Sequence, residues 1–130
     1  MILASLLREV AAGLRVAAAR LRRSLLATIG WCQNSYGLDA ESAPVAGLAG
    51  CLGEGLTGLD LCAALYRAAS ENSLLSDLDE ARTAVANYIL ATPAREATPG
   101  TILVEWNDEP GRQVQNCTDT LDEVVTQLSV

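Results

Sequence analysis

The stretch TGLDLCAALYRAASENSLLSDLDEARTAVANYILA, residues 57–91, decides the fold. Thr57 followed three residues later by Asp60 resembles a capping box, with Asp in place of the usual Glu. A helix from there to about Ala69 buries Leu61, Ala64, Leu65 and Ala68. Ser76 with Asp77, Asp79 and Glu80 starts the next helix, because acids in a first turn meet the positive end of the helix dipole. It runs to about Ala91 through Leu78, Ala81, Val85, Tyr88 and Ile89, and Pro93 and Pro99-Gly100 end it. Two amphipathic helices in succession with no strand between them predict helix-on-helix packing.

Towards the N-terminus, Leu3, Leu6, Leu7, Val10, Leu14, Ala17, Leu21 and Leu25 fall in steps of three and four. They make one apolar stripe on a helix over residues 1–30, with Gly30 as its stop. Arg8, Arg15 and Arg22 are seven apart and share the opposite face, with Arg23 beside them. Such a helix is about 42 Å long at ~1.5 Å per residue, enough for part of it to meet a partner or a second copy. The same segment is rich in Ala, Leu and Arg like an organellar transit peptide, but we read it as the first helix of the fold.

Residues 31–58 read as a Gly-rich irregular region, interrupted by Pro44, with a short helical turn around Leu48–Leu52. Gly53-Glu54-Gly55-Leu56-Thr57-Gly58 matches the GxGxxG pattern formally. A dinucleotide site needs a buried strand before it, and Glu54 has the wrong sign for phosphate. Residues 59–130 form the helical body. Within it, Ile102, Val104 and Trp106 alternate, so residues 101–106 read equally as a short extended segment or a short helix. Glu109-Pro110-Gly111 reads as a turn, and a last helix over Gln113–Ser129 buries Val114, Cys117, Leu121, Val124, Val125 and Leu128. The expected fold is mainly α: one domain of four or five helices over residues 1–130.

Composition removes whole classes of chemistry. The chain has no His, which excludes Ser–His and Cys–His catalysis and imidazole-bound zinc. It has no Lys, which excludes a Schiff base or a Walker-type phosphate lysine. Aromatic residues are 4% of the chain and Phe is absent, so no platform for stacking bases exists. The net charge is −7. Residues 1–30 hold five Arg and one Glu, or +4, and the remaining four Arg and fifteen acids give −11. An acidic body of this kind repels nucleic acid and anionic membrane and suits a basic partner surface. Cys32, Cys51, Cys62 and Cys117 contain no CxxC pair, so no metal or cofactor is expected, and buried free thiols in a reducing cytoplasm are. Absence of Lys with abundant Ala and Arg points to a GC-rich genome and a bacterial or phage source.

Two clusters carry polar groups at element boundaries: Trp31, Cys32, Gln33 and Asn34, and Trp106, Asn107, Asp108, Glu109 and Arg112. In the structural reading each indole buries its ring and donates its N–H, Asn107 or Asp108 closes the turn, and Arg112 pairs with an acid. In the functional reading both loops meet at one pocket. Cys32 is then a candidate nucleophile that needs a lowered pKa. Asp108 with Glu105 or Glu109 is then a candidate carboxylate pair or divalent-ion holder.

Gly30-Trp31-Cys32-Gln33, Ala64-Leu65-Tyr66-Arg67-Ala68-Ala69 and Trp106-Asn107-Asp108-Glu109-Pro110-Gly111-Arg112, in that order, resemble a family of small bacterial and phage proteins of unknown function. The resemblance covers roughly residues 10–130. Its members look like a Trp-Cys loop, a Cys-Ala-x-Gly-Ala-Leu helix and a Trp-Asn-Asp-x-Pro-Gly-Arg turn. The chain departs from that pattern in the middle motif, where alignment on Ala64-Leu65 puts the family's Cys on Asp60 and its Gly on Ala63. Cys62 therefore lies on another helix face. The resemblance implies the architecture and the setting, and no reaction.

The expected function is a non-enzymatic, acidic protein-interaction or regulatory module, such as a phage-encoded inhibitor of a host or defence protein. The alternatives are a small hydrolase-like enzyme using Cys32 and the Asp108 region, and a structural homodimer paired through residues 1–30.

Overall fold

The computed structural model describes residues 4–11, 30–90 and 98–128. Residues 4–11 are helical and form α1. Ala4, Leu6, Leu7, Val10 and Ala11 turn inward from it, as the apolar stripe predicts, while Arg8 and Glu9 face outward. The expected continuation of this helix to residue 29, with Arg15, Arg22 and Arg23, lies outside the described residues.

Strand β1 (Gly30–Trp31), β2 (Gly37–Leu38) and β3 (Gly58–Leu59) follow. They make one small sheet in the order β1-β3-β2, with β1 parallel and β2 antiparallel to β3. The region expected to be irregular is thus organised by a sheet. Its strands have two residues each, too few to show a period of two. Gly58 lies close to its neighbour, since a Cβ there would lie 3.1 Å from the Cβ of Cys32, a tight contact that favours glycine. Between β2 and β3, Leu48–Leu52 forms the expected short turn, in the 3-10 conformation. Arg67 on the next helix holds this loop by donating to the carbonyl oxygens of Gly53 at 2.7 Å and Cys51 at 3.3 Å.

Helix α2 spans Leu61–Glu71. Its N-cap is Asp60, whose Oδ1 accepts from the Ala63 amide at 2.7 Å. Thr57 does not cap it; the Thr57 hydroxyl donates to the Asp39 carbonyl. The expected capping box is corrected to a single Asp cap, because β3 keeps Gly58 and Leu59 extended until the chain turns at Asp60. At the other end, Ser73 takes the left-handed conformation (φ 57°) and the Leu74 amide donates back to Ala69. Asn72 donates both to the Ala68 carbonyl and to Glu9, which fastens α1 to the end of α2.

After a 3-10 turn at Leu75–Asp77, helix α3 runs over Leu78–Leu90, with Asp79 and Glu80 in its first turn. Helix α4 spans Pro99–Asn107. The alternative of an extended segment at 101–106 is thereby overturned. Thr98 caps the helix through the Thr101 amide, and Pro99 sits in the first turn, where its missing N–H costs nothing. Pro99-Gly100, expected as the stop of the preceding helix, is the start of this one. Helix α5 spans Val114–Leu128 and buries Cys117, Thr118, Leu121, Val124 and Val125.

The fold is mainly α, with α1 to α5 sharing one core. Leu6, Leu7, Leu61, Leu65, Leu103 and Leu121 are its largest fully buried apolar side chains. Each such burial stabilises by about 1.5–3 kcal/mol.

Candidate functional site

The core holds three buried polar residues among those described: Asp60, Asn107 and Thr118. Asn107 is the centre of the candidate site. It is the last residue of α4, on the face that carries Leu103, so helical geometry pushes its carboxamide inward. A buried amide must find partners. Its Oδ1 accepts from the Trp31 indole at 2.6 Å and from the Leu61 amide at 3.0 Å. Its Nδ2 donates to the Cys32 carbonyl and to Asp108 Oδ1, each at 3.0 Å. One side chain thereby joins the end of β1, the start of α2 and the α4–α5 turn.

A second ring of bonds surrounds this node. Gln33 Nε2 donates to the carbonyls of Asn107 and Glu109, both at 2.9 Å. The Asn34 amide donates to Asp108 Oδ1 at 2.8 Å, with Asn34 in the left-handed region at φ 67°. Arg112 donates from Nε to the Trp106 carbonyl, pairs with Glu109, and stacks its guanidinium 4.0 Å from the Trp106 ring centre. Gly111, at φ +87°, supplies the reversal that folds Arg112 back onto Trp106.

The structure therefore brings together Trp31, Cys32, Gln33, Asn34, Trp106, Asn107, Asp108, Glu109 and Arg112. They meet through hydrogen bonds that the chain makes to itself. Arg8 lies elsewhere, on the outer face of α1. Asp60 was missed as a member of the set. Its signal was its place four residues before Ala64, at the point where the resembled family has Cys.

The thiols sit in apolar surroundings. Burial pushes Cys32 up to about 11, more than its Ser35 hydrogen bond lowers it, and nearby Asp60 raises it further. Burial likewise pushes Cys62 up to about 11 and Cys117 to about 12, and it raises Cys51. All four are free and buried. A thiol of this kind is almost wholly protonated at neutral pH and is a poor nucleophile. In native protein all four should react with a disulfide reagent such as DTNB at least ~100-fold more slowly than a free thiol, and at ordinary rates once unfolded. Rapid labelling of Cys32 in the folded state would instead restore it as a candidate nucleophile. Among the described residues no group of three or more Cys, Asp or Glu side chains is placed to hold a metal ion. No described helix is long and apolar enough to cross a membrane.

A family model described as a family of unknown function, DUF6197, matches residues 6–127. No curated protein and no solved structure matches the chain.

Proposed function

Taking as premise that the chain belongs to DUF6197, a family of unknown function, we propose that it is a non-catalytic protein-interaction module whose acidic exterior meets a basic partner surface. One observation carries this reading. The Trp31 indole, the Gln33 amide, the Asn34 backbone amide, the Asn107 carboxamide and Asp108 are spent on an internal clasp, so these groups build the molecule instead of lining a reaction site. The described surface also carries exposed acidic residues. Asp119, Asp122 and Glu123 are exposed along α5, Asp79 and Glu80 at the start of α3, and Glu105 on α4. The enzyme alternative, through Cys32 and the Asp108 region, draws no support from a buried, protonated thiol and an Asp108 that accepts from Asn34 and Asn107. The free thiols favour a reducing cytoplasm. In a bacterial or phage setting, inhibition of a host or defence protein is a natural role for such a module.

The test is recovery of a stoichiometric partner on the immobilised protein, followed by titration of the purified pair. We expect affinity to fall ~tenfold or more between 50 and 300 mM salt, and to weaken further in Asp119→Asn/Glu123→Gln, because exposed charge pairs are screened. Affinity indifferent to both salt and these substitutions would overturn the charge-led reading. Light scattering that shows a dimer with no other partner would favour the homodimer through residues 1–30 instead.

A further inference from the structure

Beneath the clasp lies a group it does not use. Asp60 is 0% exposed, and its Oδ1 accepts from the Ala63 amide. Its Oδ2 is buried without any hydrogen-bond partner. The residue sits where three pieces of chain meet. Its own amide donates to the Tyr36 carbonyl at 2.8 Å, and its carbonyl accepts from Ala64. The next amide, that of Leu61, donates to Asn107 Oδ1.

We infer that Asp60 is a proton-operated weak point of this junction: neutral, its carboxyl is tolerated in the dry interior at the start of α2, and its ionisation strands a charge there that loosens the junction and the clasp above it. The inference does not depend on the interaction reading. A carboxyl with one oxygen lacking a partner in a dry interior either keeps its proton or strands a charge there. The groups around it act in opposite directions on the anion. Cys62 from α2, Cys51 from the 48–52 turn, Cys32 after β1 and Cys117 from α5 are protonated thiols. Asp108 from the end of α4 repels it. Arg82 from α3 attracts it, and the amides of Ala63 and Cys62 at the helix start favour the charge. Burial outweighs all of these and pushes Asp60 up to about 7 from its ordinary 3.8.

The sign follows from linkage. Below about pH 4 the carboxyl is protonated in both the folded and the unfolded chain, and its contribution is fully present. Between 4 and 7 the folded chain holds a proton that the unfolded chain releases, so stability falls as pH rises. Above 7 the folded protein carries the buried charge, and the loss is complete.

The test compares native protein with Asp60→Asn, which keeps the cap acceptor and cannot ionise. Melting temperatures are read at pH 5 and pH 8 by the fluorescence of Trp31 and Trp106. Native protein should lose at least roughly 5 °C relative to the variant between these pH values. In parallel, carbon-13 NMR of native protein follows the Asp60 carboxyl, and proton NMR follows the Trp31 indole N–H. Both should move with one midpoint near 7. Parallel melting profiles for the two proteins would overturn this inference. So would a carboxyl that titrates in the ordinary range near 4, or an indole signal that ignores the carboxyl's titration. Should the variant fail to fold, the two NMR titrations of native protein decide the matter.

Discussion

Replacing Asn107 with Ala should lower the unfolding free energy by about 4 kcal/mol. The substitution removes the acceptor for the Trp31 indole and the Leu61 amide and the donor to the Cys32 carbonyl at once. Each polar group left buried without a partner costs about 1–3 kcal/mol. A cavity at a fully buried position adds to that. Domains of this size are stable by about 5–15 kcal/mol, so the variant should be marginal at 37 °C. Urea unfolding read by tryptophan fluorescence measures the change. Asn107→Asp is the informative partner variant. It keeps the acceptor and loses the donor, and it places a carboxylate beside Asp108, so it should be no more stable than the Ala variant. A loss below about 1 kcal/mol in both variants would mean that the clasp is incidental.

Leu7→Ala should cost about 2–5 kcal/mol, the range for truncating a buried leucine. Leu7 is 0% exposed and belongs to the same core as Leu61, Leu65, Leu103 and Leu121. The expected size depends on α1 being seated on the core, where Asn72 also holds it through Glu9. Were α1 peripheral, the same truncation would shift the denaturation midpoint by less than about 1 kcal/mol equivalent. Chemical denaturation of the two proteins side by side separates these outcomes.

The helices were legible where a single apolar stripe ran unbroken. Helices α3 and α5 lie within two residues of the bounds that periodicity and caps predict, whereas α2 starts three residues later than its expected Thr57 cap implied. Helix α4 was ambiguous for a specific reason. Its inward face comprises Ile102, Leu103, Trp106 and Asn107, and the last is polar. Read without that polar member, Ile102, Val104 and Trp106 show a period of two as readily as a helical face. The sheet was illegible because its register is set by long-range pairing between two-residue strands, and local propensity says nothing of that. For the candidate site, the sequence singled out both tryptophan loops and left their convergence open, and the structure brings them together. The sequence marks Asn107 as a turn residue, whereas tertiary packing makes it a core residue. From sequence Asp60 reads only as a helix cap, which is ordinarily exposed, whereas in the fold it is fully buried, with its amide bound to Tyr36 and the next amide to Asn107.

The Asn107 node also bears on how the molecule folds. Its bonds to Trp31, Leu61 and Cys32 join residues 76, 46 and 75 positions apart. Loops of that length close late and slowly, after local helices have formed, because the chain loses entropy before the contact returns energy. Bonds made after the folding barrier do not speed the way in. They slow the way out. Asn107→Ala is therefore expected to speed unfolding more than it slows folding, which would shorten the interval in which proteases cannot reach the chain.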